Sequence, residues 1–239
     1  MKKYFLVLAL LLPLTSLGQF LGFEEVDPSD IRPWTPEQKA EYLGVYYFGE
    51  SEGESQLVLI ETSTSDGLIA QISWMDWDES RRVFVPQFQN LTDVRLDKKG
   101  NFYSKEYQGE FVVYEGDEKP IRCLKIYDFW GNTEGSSSSY DLGYQDNETF
   151  DTFYAGKYPE ASTRVLDVKE LKKLFAEELQ IMRNEIFARY GYIFRAGGKM
   201  DRYFRAQDWY RAHHADVNAF LTVLEKENIK RIQLEEKQR

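Results

Sequence analysis

His213 and His214 are the only histidines in this 239-residue chain, and they are adjacent. Neighbouring side chains leave a helix or a strand on different faces, so the two cannot hold one cation as an i,i+4 pair would. A zinc site would need carboxylates brought from elsewhere, because Cys123 is the single cysteine. A lone thiol cannot close a disulfide within the chain, so stability must come from packing. Cys123 sits in Ile121-Arg122-Cys123-Leu124-Lys125-Ile126, which alternates like a strand, and reads as a small buried apolar group rather than a reactive thiol. Asp76, Asp78 and Glu79 lack the alternating Asp/Asn spacing with a central glycine of a calcium loop, and read as a solvated acidic face. No Gly-x-Ser-x-Gly elbow is present, and Gly197-Gly198-Lys199 lacks the rest of a phosphate loop. Forty Asp and Glu residues guarantee some close carboxylate pairs in any fold, so paired-acid hydrolysis stays open. No catalytic residue, metal or cofactor is assigned.

The elements that would position such groups begin behind a leader. Met1-Lys2-Lys3, an apolar run from Tyr4 to Leu12, and small residues at Ser16 and Gly18 read as a secretory signal peptide over 1–18. The apolar run is shorter than the roughly 20 residues a membrane helix needs. No cysteine follows it, so no lipid anchor is expected. The product would be a soluble periplasmic or extracellular protein without a membrane span. A composition of 42% hydrophobic and 15% aromatic residues can fill a core, which excludes disorder as the chain's general state.

Residues 19–40, with Pro28, Pro33 and Pro36, read as an extended lead-in. From 41 the pattern is strand after strand: 43–48, 56–61, 68–74, 82–85, 94–103 (broken at Lys98-Lys99-Gly100), 110–114 and 121–127. Leu68, Ala70, Ile72 and Trp74 alternate with Ile69, Gln71 and Ser73, one set facing inward. Ser65-Asp66-Gly67, Lys98-Lys99-Gly100 and Glu115-Gly116-Asp117 supply turns. The expectation is an antiparallel β meander, closing as a sandwich or small barrel. Gly44-Val45-Tyr46 is similar to the Gly-x-Trp opening of lipocalins, with the Trp replaced, which implies a ligand-carrying barrel. Residues 131–141, with four serines in a row at 136–139, read as a polar loop, and 141–161 as irregular chain ending a β domain that spans 41–161.

The period changes at Leu166, where a helical domain over 162–239 begins. Asp167 and Glu170 have capping-box spacing, as do Thr222 and Glu225. A helix from about Glu177 carries Leu179, Met182, Ile186 and Tyr190 as its buried stripe and stops at Gly191. Met200 to Phe204 allows a short helix, and a last one follows Thr222. Within this region Glu178-Leu179-Gln180-Ile181-Met182-Arg183-Asn184-Glu185-Ile186-Phe187-Ala188-Arg189-Tyr190-Gly191-Tyr192-Ile193-Phe194 resembles the core of the YARHG domain. Tyr203-Phe204, Trp209-Tyr210 and Leu224 to Ile229 fit the same family in order and spacing, over about residues 163–236. The motif's His is Tyr190 here and its leading Tyr is Phe187, which removes the one imidazole that could have acted as a base. The resemblance implies a small helical extracytoplasmic module without an assigned activity.

Physically, Glu185 and Arg189 have the i,i+4 order that favours a pair. Arg183, Asn184 and Glu185 read mainly as polar struts tying the following loop to the helix, with Asn184 on the Ala188 face bonding a neighbouring loop. Trp209 and Tyr210 read as core or cap before sugar platform. Together with Arg189 and Tyr190 these are the candidate binding residues. Charge divides unevenly. Residues 165–239 carry 15 Lys/Arg against 12 Asp/Glu, while 19–164 carry 13 against 28, an acidity that argues against nucleic acid and suggests salt-sensitive docking of the two parts. The fold expected is α+β by segregation. The leading function is an exported, non-catalytic envelope binding module, associated with peptidoglycan or an envelope protein. A carrier of a small apolar ligand inside the barrel and a wall-directed hydrolase are the alternatives.

Overall fold

The structure, a computed structural model, describes residues 28–49, 54–62, 67–115, 119–129, 140–146 and 153–239. The expected leader over 1–18, the turn residues Ser65, Asp66, Gly116 and Asp117, and the serine run at 136–139 lie outside the described residues. The fold is α+β: among the described residues, one ten-stranded antiparallel sheet, then five α-helices.

The strands are β1 (Ile31–Pro33), β2 (Gly44–Phe48), β3 (Ser55–Glu61), β4 (Leu68–Asp78), β5 (Val83–Asn90), β6 (Arg95–Leu96), β7 (Asn101–Tyr103), β8 (Gln108–Glu115), β9 (Pro120–Tyr127) and β10 (Tyr140–Asp146). Their order is β5-β4-β3-β2-β10-β9-β8-β7-β6, with β1 pairing β8. Two meanders therefore meet where β10 lies beside β2, and the sheet ends at β5 and β6. It curls, because one buried cluster joins side chains from both meanders: Leu59 and Ala70 with Phe102, Phe111 and Leu124.

Register decides which side chains meet. On the inner face lie Tyr46, Leu57, Ile72, Phe111 and Ile126, each at most 1% exposed. Trp34 of the lead-in and Tyr42 just after it close this core, Tyr42 stacking on Phe111 with centroids 4.1 Å apart. Among the described residues the inner face is thus lined by buried aromatic and branched side chains. Gly100 turns with φ +83°, and an added Cβ would press on the Tyr42 hydroxyl.

Three stretches differ from the sequence-based expectation. Residues 140–146, read as loop and irregular chain, form β10 in the middle of the sheet, between β2 and β9. Tyr-Asp-Leu-Gly-Tyr-Gln-Asp has poor strand propensity, but two neighbouring strands satisfy its backbone, and Gly143 leaves room for the Phe48 ring. The lead-in contributes β1 and the buried Trp34. Strands β4 and β5 run on to Asp78 and Asn90 as a long hairpin. Its turn is tied by the Asp78 carboxylate, which accepts from the N–H groups of Ser80 and Arg81. Asp78, read as part of a solvated face, is therefore a turn cap. Pro86 is tolerated because β5 is the last strand.

The helices are α1 (Glu160–Thr163), α2 (Val168–Leu171), α3 (Ala176–Arg189), α4 (Lys199–Arg205) and α5 (Val223–Glu236). Leu179, Met182, Ile186 and Tyr190 form the buried stripe of α3 as read from their spacing, and Gly191 follows with φ +70°. The Thr222–Glu225 capping box opens α5. At Asp167 only half of the expected box forms: its carboxylate accepts from the Lys169 N–H, while Glu170 turns to Arg164 at 2.9 Å. None of these helices is long and apolar enough to cross a membrane.

Phe111→Ala removes the ring on which Trp34, Tyr42 and Tyr46 converge. It is expected to lower unfolding free energy by about 3–5 kcal/mol, read from the urea midpoint.

Candidate functional site

The last two turns of α3 hold the residues that stood out by type. Glu185 is 1% exposed and cannot stay charged there without donors. It has three. The backbone N–H groups of Lys157 and Tyr158 donate to it at 2.8 and 2.6 Å, and Arg189 Nη2 at 2.6 Å. Arg189 in turn donates to the Ala155 and Tyr158 carbonyls and to Ser162 Oγ, each at 2.8 Å. The pair therefore clasps residues 155–162, the chain that precedes the helix, and not the loop that follows it. Gly156 makes the clasp possible: its φ is +116°, and a Cβ there would collide with the Glu185 carboxylate.

A second buried carboxylate lies one layer deeper. Glu225, at the third position of α5, is fully buried and accepts from Ser162 Oγ at 2.6 Å, the Tyr190 hydroxyl at 2.7 Å and the Thr222 N–H at 2.9 Å. Burial pushes its carboxyl above the ordinary range, and the Ser162, Thr222 and Tyr190 bonds only partly offset this. Tyr190 is pushed well up as well, first by burial and then by the Glu225 charge. Asn228, one turn on, donates to the Ala161 and Arg164 carbonyls and accepts from the Leu166 N–H, so every position on its amide group but one lone pair is used.

Tyr190 also carries the network to the sheet. Gln71 Oε1 of β4 lies 3.2 Å from its hydroxyl, and Gln71 Nε2 donates to the Phe220 carbonyl at 2.7 Å. Asn90 of β5 donates to the same carbonyl at 3.0 Å. Phe88 meets the Tyr190 ring edge-on at 4.7 Å and Phe220 at 5.3 Å. Further along the hairpin, Arg81 donates to the His213 carbonyl and His214 Nε2 to the Pro86 carbonyl, both at 2.8 Å. The adjacent histidines thus serve as a bracket, and the bond to a carbonyl requires the proton on His214 Nε2. Among the described residues no ion pair joins sheet to helices. Hydrogen bonds to carbonyls and ring contacts hold them together, so the expected salt-sensitive docking is replaced by contacts that salt screens little.

Between the outer face of the sheet and the end of α3 lies a cleft of about 460 Å³. Its sheet side presents Gln56, Gln71, Ser73, Met75 and Phe88; its helical side presents Phe153, Tyr154, Arg189 and Tyr190, with Glu225 at the base. Of the candidate binding residues, Arg189 and Tyr190 reach this cleft. Glu185 lies behind it, holding Arg189. Arg183 pairs instead with Glu236 of α5 through bonds of 2.9 and 3.3 Å. Asn184 donates to the Gln180 carbonyl of its own helix at 2.6 Å and ties no neighbouring loop, since the carbonyl one turn back is the nearer acceptor. Tyr210 is buried, its hydroxyl on the Tyr192 carbonyl at 2.6 Å, and Trp209 is half-buried against Phe204. Cys123 is buried in β9, its thiol pushed up to about 12 by burial. Sequence reasoning missed Gln56, Gln71, Ser73, Phe88 and Tyr154. The three polar residues carry no local signal beyond sitting on the outward face of strands, while Tyr154 lay in chain read as irregular.

Residues 154–237 match the model of the YARHG domain. The match starts nine residues before the expected 163, at the segment that Glu185 and Arg189 clasp. YARHG domains are typical of extracellular or periplasmic proteins. Neither a curated protein nor a solved structure matches the chain.

Glu185→Ala leaves the Arg189 guanidinium buried without its counter-charge, and an unfolding free energy lower by about 3–5 kcal/mol is expected in denaturant titration. Glu225 holds its proton more tightly folded than unfolded, so its contribution is most favourable below the ordinary glutamate value near 4.3 and is lost as pH rises through the raised folded one. Wild type should therefore lose stability relative to Glu225→Gln as pH rises from 4 towards 7, by up to about 1.4 kcal/mol per pH unit. Parallel pH–stability curves would show that the carboxyl is not shifted.

Proposed function

We propose that the protein is an exported, non-catalytic binding protein of the cell envelope, associated with the wall polymer, in which the helical unit and the sheet together frame a binding cleft. The organisation that fits this reading is a leader over 1–18, a lead-in over 19–40, a β unit from 41, and a helical unit that includes the clasped segment from Tyr154.

One observation carries it. The buried ionisable groups Arg189, Tyr190 and Glu225 beside the cleft are already engaged in internal bonds, so the cleft has the makings of a recognition surface and not of a reaction centre. Glu225 is the example. Hydrolysis by paired acids needs one carboxyl raised and reachable, and Glu225 is raised, with Glu54 on the same cleft. Both Glu225 oxygens, however, already accept bonds from Ser162, Tyr190 and Thr222, and the side chain has no exposed surface. A group so bound cannot also reach a glycosidic oxygen. Arg189 is held in the same way, by three internal acceptors besides Glu185.

The family match supports export, and the contact surface for the wall is the cleft, with the half-buried Trp209 as a second site on the helical unit. Co-sedimentation with purified peptidoglycan at physiological salt tests the reading. The protein is expected to pellet, and Trp209→Ala to retain at least half of the pelleting if the cleft dominates. Loss of pelleting in a folded Trp209→Ala protein would move the contact to the helical unit. No pelleting of the wild type would remove the wall reading and direct attention to an envelope protein as the partner.

A further inference from the structure

The hydroxyl of Tyr154 is buried without a hydrogen-bond partner among the described residues. Native proteins rarely leave such a group unmade, because it loses water's bonds and gains none, and an exception calls for a reason. Here the reason has a place. Tyr154 stands on the cleft wall with Arg189, Tyr190 and Glu225, and its phenol is close enough to Arg189 and Glu225 to feel both charges.

The rest of the cleft narrows what could supply the missing bond. Arg189 is neutralised by Glu185, and the other charged groups on the cleft are the carboxylates Glu54 and Glu225, so an anion is disfavoured. What remains is uncharged: the Gln56 amide, the Ser73 hydroxyl and the Tyr154 phenol, set among the apolar surfaces of Met75, Phe88 and Phe153. Gln56 and Ser73 sit directly opposite each other on β3 and β4, with Phe88 next in the same row. On the other side that row continues through Tyr47 to Tyr144, two stacked rings 5.4 Å apart, with Tyr144 38% exposed. Two uncharged hydrogen-bonding groups flanked on both sides by rings match a sugar chain, whose rings are apolar on their faces and polar at their rims. The volume lies within the roughly 300–1,000 Å³ of small-molecule sites.

We propose that this cleft binds an uncharged saccharide, with the Tyr154 hydroxyl donating to a sugar oxygen and the Phe88–Ser73–Gln56–Tyr47–Tyr144 row carrying the units that extend from it. The inference rests on the binding reading above and names the ligand class of the same site.

Titration calorimetry of the full chain with an N-acetylglucosamine tetramer tests it, using wild type, Tyr154→Phe and Gln56→Ala, beside a proline-rich decapeptide as the competing ligand class. The tetramer should bind wild type, and at least tenfold more weakly to each variant. Tyr154→Phe removes only an unpartnered hydroxyl, so the ligand-free variant should melt about 2–4 °C higher than wild type. Gln56 lies on the outer face, and its variant should melt within a degree of wild type. The proposal is overturned by no tetramer binding, by equal binding to all three proteins, by a destabilised Tyr154→Phe, or by the peptide binding in the sugar's place. Peptidoglycan pelleting of the same proteins separates the two readings. Pelleting unchanged in both variants sinks the cleft and leaves wall association standing, whereas tetramer binding without pelleting does the reverse.

Discussion

Two carboxylates without water decide how this molecule is put together. Glu185 and Glu225 are at most 1% exposed, and a carboxylate in that setting is tolerated only when donors surround it. The donors come from far along the chain: the backbone at Lys157 and Tyr158, the Ser162 hydroxyl, and the Tyr190 phenol. Meeting both demands places residues 155–162 across α3 and α5 and sets Tyr190 at the junction. Ser162 shows the coupling most directly, since it donates to Glu225 while accepting from Arg189. The two charged clusters are one network, and removing any member leaves a buried partner unpaired.

That network reaches the sheet at Gln71 of the β4–β5 hairpin, through the Tyr190 hydroxyl. Gln71 and Asn90 face each other across the two strands, their amides 2.9 Å apart, and both donate to the Phe220 carbonyl. Phe88, two residues from Asn90, packs against Tyr190 and Phe220 and keeps water from those bonds. The helical region also packs on the outer face of β2, β3 and β4, where Tyr154 and Leu224 meet Val45, Val58, Ile60 and Ile69, with Tyr47 and Phe153 against the same cluster. The cleft exists because the helical region covers only part of the row.

The inner face has a different role. Its aromatic cluster around Phe111 is buried among side chains from both meanders. Curling the sheet around a filled core gives a rigid floor whose outward side chains are held in register, as a recognition surface requires. Cys123 stands on the other face, opposite Tyr144, and its own burial raises the thiol far above physiological pH.

Much of this was legible in the residues alone. The residue pattern marked seven segments that hold eight of the strands, β2 to β9, and the 3.6-residue stripe marked α3, because burial of one face imposes those periods regardless of the partner. Thr222 and Glu225 announced the start of α5, since a capping box is made within four residues. The order of Glu185 and Arg189 announced their pairing for the same local reason. What needed the tertiary structure was every bond whose partner is remote. β10 reads as loop because its Asp and Gly disfavour strands, and it becomes one only with β2 and β9 on either side. Gln71 and Asn90 look like any outward polar residues until Phe220 arrives from some 130 to 150 positions away. The cleft itself has no local signature at all: it is the space left between two elements, and only their packing defines it.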